Sequence, residues 1–389
     1  MAVTDFKSAS ELARGMKNKP TAIGAHIYGG GFTLGMMEHA NVLGQWEELG
    51  GYGDETTKLN LGDELQHFVL PFDEWPDTYK EGDIEIVFAN PPCAPWSNIG
   101  GHKGMDDPRT IYADHSIELA TRLRPTFFIM ESVPQAWGAK GGQELYLKYT
   151  DIMHSLGYAV TIWFTNTVLH GIPQHRNRFH FIAHKLELQL PEPQLVNGAP
   201  ALIKDTIGDL RDNFTWTEDI LEGSSPLDLV VPNHNVTRPR QVDLNTMQFL
   251  QQREGWKHGY ARAVEAGLEA KKNRLIATRL RWDAPSNTMV DIGCVVHPLD
   301  DRFLTMREGA RLGGYPDWYR VAPTTSDRMY LARRADLTQA VMPCVGSYIS
   351  KQFSTALDRG KPATPGTLDV VDFRPLARDL SPGRYLRTR

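Results

Sequence analysis

Short runs of apolar, β-branched and aromatic residues alternate with amphipathic stretches through the first half of the chain. AIGAHI (22–27), NVLGQW (41–46), IEIVFA (84–89), TFFIMES (126–132), AVTIWFTN (159–166) and RFHFIAH (178–184) have the length and composition of strands. Between them, helical spacing covers 32–40, 110–123 and 143–156, with stop signals at Arg124-Pro125 and Gly157. Alternation of this kind predicts an α/β fold with a mainly parallel, doubly wound sheet. From about residue 186 the rhythm breaks. PEPQLVNGAP opens a polar stretch, followed by a charged segment with helical character from Thr246 to Lys272. Apolar patterning returns in LIATRLRW and REGARLGGYPDWY. The pattern therefore predicts a first part of the main domain over 1–185, a smaller inserted region over 186–277, and a closing part over 278–389. The tail after Leu357 is expected to be irregular.

Composition narrows the class. The chain has 389 residues, 41% hydrophobic and 23% charged, which suits a globular protein with a sizeable core. No apolar run approaches the length of a membrane span, and the first residues lack the apolar core of a secretory signal, so a cytoplasmic protein without membrane contact is expected. Three widely spaced cysteines, Cys93, Cys294 and Cys344, form no CxxC pair and support neither a disulfide framework nor a metal site. The net charge of −5 argues against nonspecific coating of nucleic acid. It leaves room for a local basic cleft. Basic residues cluster at Arg176 and Arg178, Arg238 and Arg240, Lys271 to Arg281, and Arg333 and Arg334.

The candidate chemistry lies at the carboxyl ends of the expected strands. Pro91 and Pro92 cannot continue a central ladder, so the strand of IVFANPPC stops there and delivers Cys93 at the sheet edge where ligands bind in open α/β folds. Cys93 is a nucleophile or an inert loop thiol, and its position favours the first. HIYGGGFTLG follows the first strand; its glycines suit either a nucleotide-like ligand or a tight turn. Glu47 ends the second strand, where a carboxylate could accept bonds from a ribose or stand in solvent. Glu131 follows Phe127-Phe128-Ile129-Met130, a costly place for a carboxylate without a partner or a task, and it is expected beside the strand that bears Cys93. Gln174, Arg176 and Arg178 alternate and are expected on one face of a strand.

In order along the chain stand the Gly-rich loop, PPCAPWS, ESV, PQHRNR, RFLTMREGARLGGYPD and TQAVMPCVGSYIS. This series resembles the DNA cytosine-5 methyltransferase family across nearly the whole sequence. The resemblance implies an S-adenosylmethionine-dependent, Rossmann-like catalytic domain, a target-recognition region over 186–277, and double-stranded DNA as partner, with no obligate protein partner evident. It implies that the Cys93 thiolate adds to carbon 6 of a flipped cytosine and that carbon 5 then takes the methyl group. Glu131 would hold ring nitrogen 3 and the exocyclic amine. Arg178 would hold the base carbonyl, supported by Arg176. His26, Tyr28, Gly30, Gly31, Glu47, Asp63, Asn90, Pro91, Gln339 and Val341 match cofactor-binding positions. The loop from Ala94 to Arg109 resembles the family's closing loop.

Departures gather at the cofactor positions. The family's first loop reads Phe-x-Gly-x-Gly-Gly; here His26 takes the phenylalanine place and Tyr28 the first glycine. Thr338 and Gln339 replace Gly-Asn, Ala-Pro-Trp follows the cysteine instead of Gln-x-Phe, and ESV replaces ENV. Ordinary methyl transfer is the favoured expectation. The second is a modified S-adenosylmethionine that delivers a larger group. NPPC also resembles the Asn-Pro-Pro-aromatic motif of amino-methyltransferases, but its fourth residue is not aromatic and that family has no use for Glu131 or the arginine pair. A non-catalytic DNA-binding relative ranks lower, because every expected catalytic position is filled; an RNA cytosine methyltransferase of similar fold is a further alternative, since the sequence does not separate DNA from RNA substrates.

Overall fold

Residues apolar on both faces form the centre of an eight-stranded sheet in the computed structural model. It describes residues 6–15, 18–47, 53–97, 100–101, 103–139, 141–195, 198–212, 214–217, 233–272, 277–322, 336–378 and 380. The sheet strands are β1 (Thr21–Ala25), β2 (Asn41–Glu47), β3 (Gln66–Val69), β4 (Ile86–Ala89), β5 (Phe127–Ser132), β6 (Ala159–Asn166) and β7 (Asn177–His184). Short strands β8 (Thr215–Thr217) and β9 (Asn235–Thr237) pair with each other, as do β10 (Thr278–Arg279) and β11 (Val295–Val296). The last strand is β12 (Leu368–Asp372). The large sheet runs β12-β6-β7-β5-β4-β1-β2-β3. Its ladders are parallel except that β7 is antiparallel to both β5 and β6.

Period-two alternation divides each central strand between two cores. Ile86, Phe88, Phe127 and Ile129 face one, which includes Phe32, Ile349 and Phe353. Val87, Ala89, Phe128 and Met130 face the other, with Leu119, Leu123, Tyr146 and Met153. Helices thus cover both faces, the doubly wound arrangement expected. On the first face, helix Gly31–Met36 meets helix Pro343–Arg359 at backbone contact. A methyl group on Gly35 would lie 2.7 Å from Ser347 N and would overlap the Pro343 carbonyl. The closing part of the chain therefore returns to the start of the sheet.

Several boundaries differ from expectation for identifiable reasons. β1 ends at Ala25 because His26 has left-handed backbone, with φ of 54°. The charged stretch forms two helices, Gln241–Met247 and Trp256–Glu265, interrupted where Arg253 takes φ of 73°. The tail is not irregular throughout, since β12 adds an edge strand beside β6. The expected border at 277 passes through a small apolar core: Met247, Leu250, Trp256, Ala277 and Val296 pack together with Phe303. Ile203, Ile207 and Leu210 belong to the main core, so the inserted region is joined to the large domain on both sides. Arg333, Arg334 and residues 218–232 of the inserted region lie outside the described residues.

Candidate active site

The strand order reverses between β1 and β4, with β2 and β3 on one side and β5 on the other. Such a switch point opens a crevice at the carboxyl edge of the sheet. Cys93 enters this edge four residues beyond β4. Trp96 N and Ser97 N donate to its carbonyl at 3.0 and 3.1 Å, turning the loop immediately after the thiol. Burial raises the thiol's pKa; the charges of Arg178 and Arg176 oppose this and that of Glu131 adds to it. The net shift is upward, so the resting group at neutral pH is the thiol.

Register supplies the partners. Ala89 pairs with Met130, which sets Asn90 abreast of Glu131 at the ends of neighbouring strands. Asn90 Nδ2 donates to Glu131 Oε2 at 2.7 Å. Arg178, on β7, forms an ion pair through Nε with Glu131 Oε1 at 2.5 Å. Glu131 is only 2% exposed. Burial raises its pKa, opposed by Arg178 and Arg176. The thiol, carboxyl and guanidinium expected on three separate motifs thus converge.

Gln174, Arg176 and Arg178 do not share one strand face as expected. β7 begins at Asn177, so the first two precede it. Gln174 is fully buried, and its Oε1 accepts from Met289 N at 3.1 Å. Arg176 donates to the carbonyls of Thr338 and Gln339. Burial lowers the pKa of Arg176 to about 9. Its guanidinium therefore ties the β7 approach to the segment that carries Gln339, and Arg178 alone reaches Glu131 among the three.

The turn after β1 forms the other half of the crevice. Glu47 Oε1 accepts from Ile27 N at 2.6 Å and from Gln45 Nε2 at 2.8 Å. These bonds fasten the left-handed turn at His26 to the end of β2. Glu47 is buried, which raises its pKa well above the usual carboxylate range. The His26 ring lies 5.2 Å from those of both Trp75 and Tyr112. Its two nitrogens have no hydrogen-bond partner among the described residues. Burial, with a smaller effect of the His115 charge, lowers its pKa to about 3, so the ring is neutral.

Tyr28 is 8% exposed. Thr57 Oγ1 donates to its carbonyl at 3.2 Å, and Gly29 N donates to the Asp336 carbonyl at 3.1 Å. Gly30, with φ of 72°, opens the following helix, and Tyr319 hydroxyl donates to the Gly29 carbonyl at 2.8 Å. Val341 is buried with its carbonyl against Gly31, and Gln339 is half-buried in the same segment. Pro91 is buried directly after Asn90. Asp63 is not brought into this group: it stands exposed in the turn before β3, at the opposite end of that strand from the crevice. Asn90 is turned toward Glu131 and so belongs to the other half of the crevice.

Sequence reading set Arg109 at the end of a closing loop without a role of its own. Arg109 forms a two-point pair with Asp107, Nε to Oδ1 at 2.8 Å and Nη2 to Oδ2 at 2.7 Å. Asp107 also accepts from Arg109 N at 3.0 Å. These bonds, with the nearby charge, lower the Asp107 carboxyl to about 2. Three residues on, Tyr112 meets His26. The available signal was Asp-Pro-Arg, an N-cap and a proline ahead of the helix Ile111–Leu123.

Sheet order and site define a Rossmann-like, S-adenosylmethionine-dependent methyltransferase. Residues 64–354 match the model of the C-5 cytosine-specific DNA methylase family, and the chain belongs to that family. Among curated relatives, the type II methyltransferase M.AgeI of Thalassovita gelatinovora is 24% identical over 371 residues, covering 71% of this chain and 84% of its own. M.HhaI of Haemophilus parahaemolyticus is 25% identical over 300 residues, covering 76% and 84%. Among solved structures, an E. coli prophage protein assigned as a DNA modification methyltransferase superposes with a TM-score of 0.66 at 20% identity, covering 87% of this chain and all of its own. The Entamoeba histolytica methyltransferase EhMeth gives 0.53 at 16% identity, covering 88% and 99%. Among the described residues no helix is long and apolar enough to cross a membrane.

Proposed function

We propose that this enzyme modifies carbon 5 of a flipped cytosine in double-stranded DNA through a covalent bond to Cys93. The observation that carries the reading is the Asn90–Glu131–Arg178 cluster beside the thiol. A base seated there meets a nucleophile, a carboxyl of raised proton affinity and a cation. Glu131, whose burial favours its protonated form, donates to ring nitrogen 3 and so withdraws charge from the ring. Asn90 holds the Glu131 carboxyl in that orientation. Arg178 receives the base carbonyl and offsets negative charge as it develops.

Cys93 passes its proton to water as it attacks, and its sulfur bonds to carbon 6 while ring nitrogen 3 takes the proton from Glu131. Carbon 5, now electron-rich, attacks the sulfonium-bound carbon of the donor, and the electron pair of the broken carbon–sulfur bond stays on sulfur. The proton on carbon 5 then leaves to water, and the bond to Cys93 breaks to release the thiolate. The cofactor supplies the electrophilic carbon. The crevice residues suit S-adenosylmethionine: the buried His26 ring keeps two unpartnered nitrogens in the turn after β1, and Glu47 stands at the end of β2 where a ribose would lie. A cleft of about 410 Å³ lined by Arg253, Arg281, Asn287 and Thr288 offers charge and hydrogen bonds to a phosphate backbone.

DNA carrying 5-fluorocytosine tests this reading, because a fluorine on carbon 5 cannot leave as a proton does. Purified wild-type chain with donor should form a complex with that DNA that survives denaturation, and Cys93→Ala should form none. A wild-type chain that turns over cytosine without trapping would exclude the covalent route. The modified-donor alternative rests on Tyr28 and Gln339, which depart from the family pattern and reshape the donor side of the crevice.

A further inference from the structure

We infer that the transferred group carries a negative charge: the donor is a sulfonium of the S-adenosylmethionine type whose transferable carbon bears a carboxylate, received by Arg109 and Tyr28. The inference rests on the cytosine carbon 5 reading and concerns only what is delivered there.

Placement is the first ground. Arg109 leads directly into the helix whose Tyr112 ring packs 5.2 Å from His26, and Tyr28 lies two residues beyond His26. The segment that carries the guanidinium is therefore docked on the turn that carries the phenol. One helical turn further, the His115 ring lies 6.5 Å from that of His26. Asp107 holds Nε and Nη2 of Arg109, while Nη1 has no partner among the described residues. The guanidinium is thus oriented with one nitrogen left for a ligand.

Charge is the second ground. The hydrogen bonds to Asp107 chiefly favour the Arg109 cation, and the charges of Tyr28 and Cys93 act on it in the same direction. Burial chiefly keeps the Tyr28 hydroxyl protonated, reinforced by the fields of Cys93, Glu47 and Glu131 and opposed by that of Arg109. It is a neutral hydrogen-bond donor situated between the two halves of the crevice. A methyl group has no use for either feature. A sulfonium is itself a cation, so an arginine beside it is repelled when the transferable group is only methyl. A carboxylate on that group would pair with Arg109 and accept from Tyr28, and it would neutralise the donor's own charge. The chemical step is unchanged: carbon 5 gains a carboxymethyl group, sulfur keeps the electron pair of the broken bond, and the ring proton leaves to water.

Calorimetric titration of the full chain with S-adenosylmethionine and with its S-carboxymethyl sulfonium analogue tests the binding. The wild type should hold the carboxymethyl compound at least about tenfold tighter, and Arg109→Gln and Tyr28→Phe should each shrink that ratio, Arg109→Gln to near unity. In a competition with both donors at equal concentration on duplex DNA, nucleoside mass spectrometry should find mainly carboxymethylcytosine. Methylcytosine alone, with no preference for the carboxymethyl compound, would overturn this inference and leave the cytosine reading standing. Loss of DNA affinity in Arg109→Gln with an unchanged donor ratio would make Arg109 a backbone contact and overturn it too. No modified cytosine from either donor would sink the underlying reading and this inference with it.

Discussion

The two halves of the crevice are built on different terms. On the base side, Cys93, Glu131 and Arg178 come from three strand ends; Glu131 is held by an ion pair to Arg178 and a hydrogen bond from Asn90, and the thiol lies within their field. On the donor side, the turn from His26 to Gly31 is held by backbone bonds to Glu47, Asp336 and Tyr319, while its own side chains are bulky and His26 lacks a polar partner. The base side keeps the cysteine, glutamate and arginines of the family pattern and departs only beside them, after Cys93 and in ESV, whereas the donor side departs within its own loops at His26, Tyr28, Thr338 and Gln339. The contrast teaches that the chemistry done to cytosine is constrained by the ring, which does not vary. The pocket for the donor needs only to present one electrophilic carbon, and so can change.

Substitutions on the two sides should differ in kind. Cys93→Ser should remove turnover to the limit of detection while the melting temperature stays near that of the wild type, since a hydroxyl is a far poorer nucleophile and little larger or smaller than the thiol. Appreciable turnover in that variant would end the distinction between the halves. Glu131→Gln should lower kcat by about 10²-fold or more, because the amide cannot supply the proton, with DNA affinity retained in a gel-shift measurement. Asn90→Ala should cost about tenfold in kcat, the equivalent of one buried hydrogen bond to Glu131. A larger loss than that of Glu131→Gln would show that Asn90 touches a ligand itself.

On the donor side, His26→Phe should change stability more than rate. The histidine ionises near 3 in the fold and near 6.5 when unfolded, so only the unfolded chain takes up its proton between those values. Stability is therefore whole above about pH 6.5 and falls as the solution is acidified, by up to about 1.4 kcal/mol per pH unit for each such group. His170 and His180, also shifted by burial to about 3, act in the same direction. Denaturant unfolding between pH 4 and 7 should show a shallower acid limb for His26→Phe by one histidine's share. An unchanged limb would mean that the ring finds a charged partner.

Legibility followed burial. The central strands were readable because their residues are apolar on both faces, and the capping signals at Arg124 and Gly157 placed helix ends within a residue or two. β3 and β12 left no such trace. Both are edge strands, β3 only partly buried and β12 mostly exposed, and a strand such as Leu368–Asp372 with Val370 at 59% exposure is chosen by the neighbour it pairs with. The site shows the same division. Glu131 stood out as a carboxylate after an apolar run, but the period-two reading of Gln174, Arg176 and Arg178 failed because distant backbone claims the first two side chains before the strand begins: Met289 N and the Leu312 carbonyl hold Gln174, and the carbonyls at 289 and 338–339 hold Arg176. Arg109 stayed hidden because its significance arises from a helix docking on a distant turn.

Nucleoside mass spectrometry of DNA from cells expressing the wild type, set beside cells expressing Cys93→Ala, tests the central claim most directly. The account predicts a cytosine modified at carbon 5 in the first and none in the second. The same modified cytosine in both, or a modification on the exocyclic nitrogen, would contradict it.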